Sequence, residues 1–219
     1  MIGSHQPDIA NAISGVFIAR GDSHMKIILA SASPRRREIL EKHGIDPIVI
    51  PTDADEFLRE GIGMTDAVKI LAERKARSCY TSIRHNPDLL NKYQGHVIIG
   101  SDTIVFKDEI MGKPVDEADA FRMLDSIRGT SHYVVTGVCL IDVDSGDSAV
   151  ISDTTTVWCK DYSDEDIYDY ISREEPYDKA GSYAIQGYFG RYIDHIDGDY
   201  ENVVGLPYHR IKDSLAKYI

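Results

Sequence analysis

The segment from Lys26 to Arg37 reads KIILASASPRRR and places a short apolar run directly before a helix start. The β-branched run predicts a first strand over residues 26–30. Ser33 is a favoured N-cap residue and Pro34 a favoured first helical residue, so a helix is predicted from about residue 35 to residue 43. A strand, a short turn and a helix in this order form the basic unit of an α/β fold.

Outside this segment, the apolar periodicity alternates between strand and helix patterns. Further strands are predicted at 47–50, 97–106, 133–143, 149–158 and 192–196, and further helices at 65–79, 116–127, 163–172 and 207–218. The turn sequence DSGD at 144–147 joins two of these strands as a hairpin. The pattern predicts a single α/β domain over residues 26–219, with a mixed, twisted β-sheet flanked by helices. Residues 1–25 are interpreted as an N-terminal extension or a tag remnant.

The chain has 219 residues, a charged fraction of 27% and a formal net charge of −12. Because basic residues that neutralise phosphate supply most nucleic-acid affinity, a chain this acidic is not expected to bind nucleic acid. Its apolar runs, such as residues 97–99, are too short to span a membrane. The three sparse cysteines, with no CxxC pair, predict a reducing, cytoplasmic location and argue against a zinc site.

The turn after the first strand carries two serines and three arginines at a helix start. Free backbone N–H groups and the helix dipole favour an anion there, and guanidinium groups bind phosphate through paired hydrogen bonds. Arginines in a first helical turn oppose the helix dipole, so the cluster is unfavourable without an anion. From the residues alone two interpretations stay open, a phosphate site or a solvated surface.

Carboxylates and lysines at separate points of the chain have the character of a site for phosphoryl chemistry. Asp102 interrupts an apolar strand, Lys113 lies in a turn that can direct it back toward the end of that strand, and Lys75 borders the apolar face of its helix. Glu56 belongs to an acidic loop, 53–56, which on its own is typical of solvated surface. Carboxylate oxygens bind hard divalent cations and basic side chains neutralise phosphate, so together these residues suit metal-assisted phosphoryl chemistry.

An ordered series of motifs resembles the Maf family of nucleoside triphosphate pyrophosphatases. The blocks are LASASPRR at 29–36, DE at 55–56, LAERKA at 71–76, SDTIV at 101–105, GKP at 112–114, TGV at 136–138, DKAGSYAIQG at 178–187 and GDYENVVGLP at 198–207. Each block alone is a weak signal, whereas the series in order over residues 26–219 is highly specific.

The resemblance implies a fold related to the inosine triphosphate pyrophosphatases, with the site in a cleft beside the sheet. It implies hydrolysis of a nucleoside triphosphate between the α and β phosphates, which yields a monophosphate and pyrophosphate and requires Mg²⁺ or Mn²⁺. Members of the family are often homodimers. The alternative from a different class is a non-catalytic, nucleotide-binding regulator of septum formation or cell division. The presence of both family carboxylates favours the enzyme.

The resemblance also assigns roles to residues of this chain. Asp102 corresponds to the proton acceptor and Glu56 to the second essential carboxylate, and both are expected to bind the metal. The phosphate-binding positions are Ser31, Ser33, Arg36, Lys75 and Lys113. The positions that separate substrate subtypes are Arg35, Thr103 and Gln186. This trio resembles the branch that acts on thymidine and uridine triphosphates and argues against a purine-type enzyme.

The chemistry of Gln186 agrees with that branch. A glutamine amide can donate to O4 of uracil or thymine and accept from N3–H at the same time, whereas a glutamate can only accept. Cytosine reverses this pattern, but an amide can rotate to match it. Discrimination against cytosine therefore requires help that we expect from the backbone.

Three further features have no catalytic role in the resemblance. Residues 82–94 form an insertion relative to the family pattern and are predicted to be a surface loop. Arg37 is predicted to be solvated. The dense tyrosines between residues 162 and 192 are predicted to pack in the core or at a dimer surface.

Overall fold

The structure, a computed structural model, describes residues 26–173 and 175–216, so the interpretation of residues 1–25 lies outside the described residues. Its helices are α1 (Pro34–Lys42), α2 (Met64–Arg84), α3 (Pro87–Lys92), α4 (Glu117–Ile127), α5 (Asp164–Ile171), α6 (Tyr200–Val204) and α7 (Tyr208–Leu215). Its strands are β1 (Ile27–Leu29), β2 (Ile48–Val49), β3 (Val97–Lys107), β4 (Glu109–Met111), β5 (Ser131–Asp142), β6 (Ser148–Cys159) and β7 (Ile193–Asp197). Three short 3-10 turns lie between α5 and β7.

The strands form one seven-stranded sheet in the order β2-β1-β3-β5-β6-β7, with β4 paired to β3. β1 runs parallel to β2 and β3, whereas β3, β5, β6 and β7 pair antiparallel in turn. β5 and β6 form the hairpin that the turn at 144–147 predicts. The predicted α/β fold, a mixed sheet flanked by helices, is therefore confirmed.

Helix α2 lies close against the sheet because two glycines face it. A Cβ atom at Gly100 in β3 would lie 2.4 Å from the carbonyl oxygen of Ala72. A Cβ atom at Gly137 in β5 would lie 2.3 Å from the carbonyl oxygen of Val68. Any larger side chain would push the helix away, so these glycines set the distance of α2 from β3 and β5.

The pleat of the strands divides the core between the two faces of the sheet. Ile28 and Ile98 pack under α2, whereas Leu29 and Ile99 pack on the opposite face with α1 and α7. A third cluster contains most of the tyrosine-rich region, including Tyr162, Tyr170, Tyr183 and Phe189. That region packs in the core, one of the two outcomes predicted for it.

The insertion at 82–94 is helical and not a surface loop. α2 continues to Arg84, and α3 follows after two residues. The Asn86 side chain accepts hydrogen bonds from the first N–H groups of α3, and Pro87 begins that helix. Tyr93, directly after α3, is 5% exposed and packs with the cluster beneath α2. The loop prediction is wrong because an Asn-Pro pair is itself a helix-start signal, and a buried aromatic residue ties the new helix to the core.

One edge of β3 is open in its middle. β1 pairs with β3 only at residues 97–99, and β4 pairs with it only at residues 105–107. The two short strands leave a gap beside residues 100–104, and this gap creates the cleft described below. In the described ranges, no helix is both long enough and apolar enough to cross a membrane.

Candidate active site

A cavity of about 820 Å³ lies at the open stretch of β3. It is lined by all of the residues that the sequence suggests for a site, namely Ser31, Ser33, Arg35, Arg36, Glu56, Lys75, Asp102, Thr103, Lys113 and Gln186. These residues come from the turn after β1, the loop before α2, α2 itself, β3, the turn after β4 and the segment before β7. The fold thus brings together groups that are far apart in the sequence.

Lys75 projects from α2 into the cavity, where its ammonium group contacts two carboxylates. It donates a hydrogen bond to Asp102, and its Nζ lies 2.9 Å from Oε1 of Glu56. The side chains of Lys75 and Asp102 are only 15% and 12% exposed, so water screens this pair weakly. The hydrogen bond from Lys75 lowers the pKa of Glu56, against the effect of its burial. Glu56 is therefore anionic at neutral pH.

Arg36 is held by three acceptors of the protein. Its Nε lies 2.9 Å from the carbonyl oxygen of Gly205, its Nη1 2.9 Å from Oγ of Ser31, and its Nη2 3.3 Å from Oγ1 of Thr103. Burial lowers the pKa of Arg36, while the charge of Asp102 acts in the opposite direction. A guanidinium group carries five N–H donors, so two are left for a ligand after these three bonds.

The first turn of α1 opens toward the cavity. Ser33 is its N-cap residue, as predicted, but its hydroxyl makes no capping bond to the helix. The N–H of Ser33 donates to Oγ of Ser31 at 3.2 Å. The Ser33 hydroxyl and the positive end of the helix dipole can therefore serve an anion. Arg37 instead pairs with Glu41 at 2.6 Å on the exposed surface, so the prediction that Arg37 is solvated is confirmed.

Glycine 181 fixes the segment that carries Gln186 against the sheet. Gly181 has φ of 67°, a conformation that favours glycine, and a Cβ atom there would lie 2.7 Å from Val105. Its N–H donates to the carbonyl oxygen of Gly112 at 3.0 Å. The segment is therefore attached to the turn after β4 at Gly181, and it continues to the cavity, where Gln186 is exposed.

Tyr183 anchors the same segment in the core. Its hydroxyl lies 2.6 Å from Nε2 of His132, a histidine that is 1% exposed. Burial, with a smaller contribution from the charge of Lys107, lowers the pKa of His132 to about 3. His132 is thus a neutral structural histidine at physiological pH, and it holds the backbone that leads to Gln186.

Lys179 lines the cavity although the sequence suggested no role for it. Its ammonium group donates to the Asp178 carboxylate and to the carbonyl oxygen of Glu175, the latter at 3.1 Å. Its side chain is 15% exposed. The available signal was its place in the DKAGSY block, but only the fold of that segment directs the lysine toward the other cavity residues.

Glu56 and Asp102 offer the donors that a hard divalent cation prefers. Both carboxylates contact the one ammonium group of Lys75, so their oxygens converge on a common point. Oxygen donors from two convergent carboxylates fit Mg²⁺ or Mn²⁺, which is usually bound by one or two carboxylates plus substrate phosphates.

A second group of potential ligands lies apart from the residues that line the cavity. Asp153, Asp199 and His209 bring their ligand atoms within 4.8 Å of one another. His209 Nδ1 lies 3.3 Å from Asp199, whose carboxylate also caps α6 by accepting from the N–H of Asn202. The group is explained by an ion pair and a helix cap and adds no ligands to the cavity.

A sequence model described as "Maf-like protein" matches residues 26–218. The chain belongs to the Maf-like family. The match spans every block quoted above and every residue of the cavity, so the resemblance drawn from the motifs is confirmed.

Curated relatives of this Maf-like chain share one description. A protein of Citrifermentans bemidjiense is 45% identical over 190 residues, which is 86% of this chain and 93% of the relative. Proteins of Caldicellulosiruptor bescii and Clostridioides difficile are each 42% identical, over 88% and 89% of this chain and 94% and 95% of their own lengths. All three are named dTTP/UTP pyrophosphatase.

Proposed function

We propose that this Maf-like protein hydrolyses dTTP and UTP to the nucleoside monophosphate and pyrophosphate. The observation that carries the proposal is the convergence of Glu56, Asp102 and Lys75 at one point of a cavity that also holds Lys113 and Arg36. Convergent carboxylates beside cationic side chains suit the cleavage of a charged phosphoanhydride. The names of the curated relatives support the same reaction.

The cationic side chains would stabilise the charge of the triphosphate and of the departing pyrophosphate. Lys113 is exposed at the cavity and Arg36 keeps two N–H donors for a phosphate oxygen. Ser31 and Ser33 add donors at the start of α1, where the helix dipole favours an anion. Positioning and electrostatic stabilisation of this kind supply most of the catalysis in phosphoryl transfer.

Asp102 would accept the proton of the attacking water. Its carboxylate accepts a hydrogen bond from Lys75, which holds the side chain in the cavity. Glu56 and Asp102 would hold Mg²⁺ or Mn²⁺, and the bound cation would lower the pKa of water and neutralise phosphate charge. The position of Lys75 between the two carboxylates keeps their oxygens together before substrate arrives.

Arg35, Thr103 and Gln186 would select the nucleotide. All three line the cavity, and Gln186 lies on the segment that Gly181 and Tyr183 hold in place. The Gln186 amide would read O4 and N3–H of uracil or thymine.

We further propose a cytoplasmic location and a homodimer. Cys79, Cys139 and Cys159 are buried, and burial raises the pKa of the Cys79 thiol to about 11. Buried, protonated thiols suit a reducing compartment, in which no disulfide is needed. Light scattering on the purified protein gives the number of subunits directly.

The decisive experiment measures pyrophosphate release from a panel of nucleoside triphosphates, with Mg²⁺ and with Mn²⁺, for the wild type and Asp102→Asn. We expect release from dTTP and UTP with either cation, loss of release with a chelator, and a loss of at least about 100-fold in Asp102→Asn. A folded wild type that binds nucleotides and releases no pyrophosphate would instead support the non-catalytic regulator.

A further inference from the structure

The hydroxyl groups of Thr103 and Thr136 face each other across β3 and β5. The two residues are direct partners in the strand register, and their Oγ1 atoms lie 3.0 Å apart. The Oγ1 of Thr136 also lies 2.8 Å from the carbonyl oxygen of Asn202 in α6. Thr136 is fully buried, so its hydroxyl must find its partners within the protein.

The direction of these hydrogen bonds follows from the chemistry of the groups. A carbonyl oxygen can only accept, and a hydroxyl carries a single hydrogen. Thr136 therefore donates its hydrogen to Asn202, and it can interact with Thr103 only as an acceptor. The hydrogen of Thr103 consequently points toward Thr136 and away from the cavity.

Thr103 thus presents only an acceptor to the cavity. One lone pair of its Oγ1 accepts from Nη2 of Arg36 at 3.3 Å. The other lone pair is available to a ligand, because Thr103 lines the cavity. With its hydrogen committed to Thr136, Thr103 has no donor to offer there.

Asn202, the last residue in this series of hydrogen bonds, is itself fixed. Its Nδ2 donates to the carbonyl oxygen of Val134 at 3.0 Å and to Oγ1 of Thr155 at 2.9 Å. Its N–H donates to the carboxylate of Asp199 at 2.8 Å. The carbonyl group that receives the hydrogen of Thr136 therefore belongs to a residue tied to two strands and to its own helix cap.

We propose that Thr136 is a specificity-determining positioning residue, which excludes cytosine nucleotides by holding Thr103 as an acceptor. The proposal rests on the proposed hydrolysis of dTTP and UTP. Uracil and thymine carry one hydrogen on N3, which the oxygens of Gln186 and Thr103 can share, whereas N3 of cytosine is itself an acceptor and would face the Thr103 oxygen without a hydrogen between them. Gln186 cannot make this distinction alone, because its amide can rotate to fit either base edge.

The origin of the discrimination differs from the sequence-based expectation. The sequence led us to expect help from the backbone in rejecting cytosine. In the structure the backbone acts indirectly, because the carbonyl group of Asn202 orients one hydroxyl through another. The three residues come from β3, β5 and α6, so their alignment exists only in the folded protein.

The test is the ratio of kcat/KM for UTP to kcat/KM for CTP, measured alike for dTTP and dCTP. In Thr136→Val the hydroxyl of Thr103 loses its acceptor and can turn its hydrogen to the cavity. We expect the ratio to fall by roughly three- to tenfold, the equivalent of one neutral hydrogen bond, mainly because hydrolysis of CTP improves. Thr136→Ser keeps the donor and acceptor and should retain the wild-type ratio.

Thr155→Val is the matched control. It also removes a fully buried hydroxyl that binds Asn202, on the neighbouring strand, but this hydroxyl has no bond to Thr103. Its ratio should stay at the wild-type value even where the overall rate falls, and thermal unfolding reports the fold of each variant. Thr136→Ala also lacks the hydroxyl, so the same fall in the ratio is expected from it if Thr136→Val does not fold.

Each result bears on the proposal in one direction. A ratio that is unchanged in folded Thr136→Val or Thr136→Ala overturns it, as does a wild type that hydrolyses CTP as fast as UTP. A similar fall in Thr155→Val would overturn it too, because displacement of α6 would then be the cause. None of these outcomes affects the proposed hydrolysis, which fails when the wild type releases no pyrophosphate from dTTP or UTP.

Discussion

Lys75 on α2 donates a hydrogen bond to Asp102 on β3, and this pair joins the helix to the strand at the centre of the cavity. The two residues are 27 positions apart in the sequence. Glycines beneath α2 set the distance between their backbones, so the packing of the core and the geometry of the site depend on the same contact.

Removing the ammonium group should destabilise the protein as well as inactivate it. In Lys75→Met the Asp102 carboxylate loses its partner in a weakly solvated position, which costs on the order of 3 kcal/mol in the free energy of unfolding. Denaturant unfolding at pH 7 measures this. Lys113→Met is the control, because Lys113 is exposed and its replacement should change stability by no more than about 0.5 kcal/mol. Equal stability of the two variants would contradict the structural role of Lys75.

The close approach of α2 predicts a strong effect from adding a single methyl group. Gly137→Ala would place a Cβ atom 2.3 Å from the carbonyl oxygen of Val68, so the helix must shift and carry Lys75 with it. We expect a loss of about 1–3 kcal/mol in unfolding free energy and a fall in pyrophosphatase activity. Gly112→Ala is the stability control, since no atom lies within 4 Å of its added Cβ. A wild-type melting temperature in Gly137→Ala would show that the helix is not constrained in this way.

Burial of His132 predicts a pH dependence of stability. Burial lowers the pKa of His132 to about 3, whereas a histidine in the unfolded chain titrates near 6.5. Below pH 6.5 the unfolded state therefore binds a proton that the native state does not. Stability should fall as the pH decreases from about 6.5 toward 3, by at most about 1.4 kcal/mol per pH unit for this group.

The contribution of His132 can be isolated by substitution. His132→Gln retains a partner for the Tyr183 hydroxyl but cannot titrate, so its unfolding free energy should depend less steeply on pH between 6.5 and 4. His195→Gln, at a histidine whose side chain is 57% exposed, should keep the wild-type slope. The same slope in all three proteins would contradict the prediction.

The side chain of Gln186 predicts a base-dependent effect of a charge. In Gln186→Glu the donor to O4 of uracil or thymine is lost, and a carboxylate replaces it beside an acceptor. We expect kcat/KM for UTP and dTTP to fall by more than kcat/KM for GTP, by about tenfold or more. Measurement over a panel of four nucleotides tests this, and an equal loss for all of them would reject a base-reading role for Gln186.

Much of the site could be predicted from the sequence because its residues lie in local patterns. The turn Ser31–Arg36 combines a strand end, a proline and a helix start, which are features of neighbouring residues. Asp102 is conspicuous as a carboxylate within an apolar strand. The roles of these residues came from the resemblance to the Maf family, while their convergence in one cavity is a property of the structure.

Other features could not be predicted because they depend on contacts between distant elements. Lys179 is an unremarkable lysine until its segment folds against β3 through Gly181. The sequence predicts a loop in place of α3 because residues 82–94 form an insertion relative to the family pattern, although Asn86 and Pro87 carry a helix-start signal. The burial of Tyr93 beneath α2 holds this helix against the core, and no local periodicity predicts that contact.

By itself the sequence determined the order of the longer strands and helices and membership of the Maf-like family, whereas it missed the short elements β4, α3 and α6. Periodicity and helix-start residues act over a few neighbouring positions, so they can be read without the fold. Only the tertiary structure decided where the open edge of β3 lies, which carboxylates share Lys75, and which way the hydroxyl of Thr103 points. These properties arise from strand register and from the closeness of α2 to the sheet, because a hydrogen bond acts only over about 3 Å between atoms that the fold has brought together.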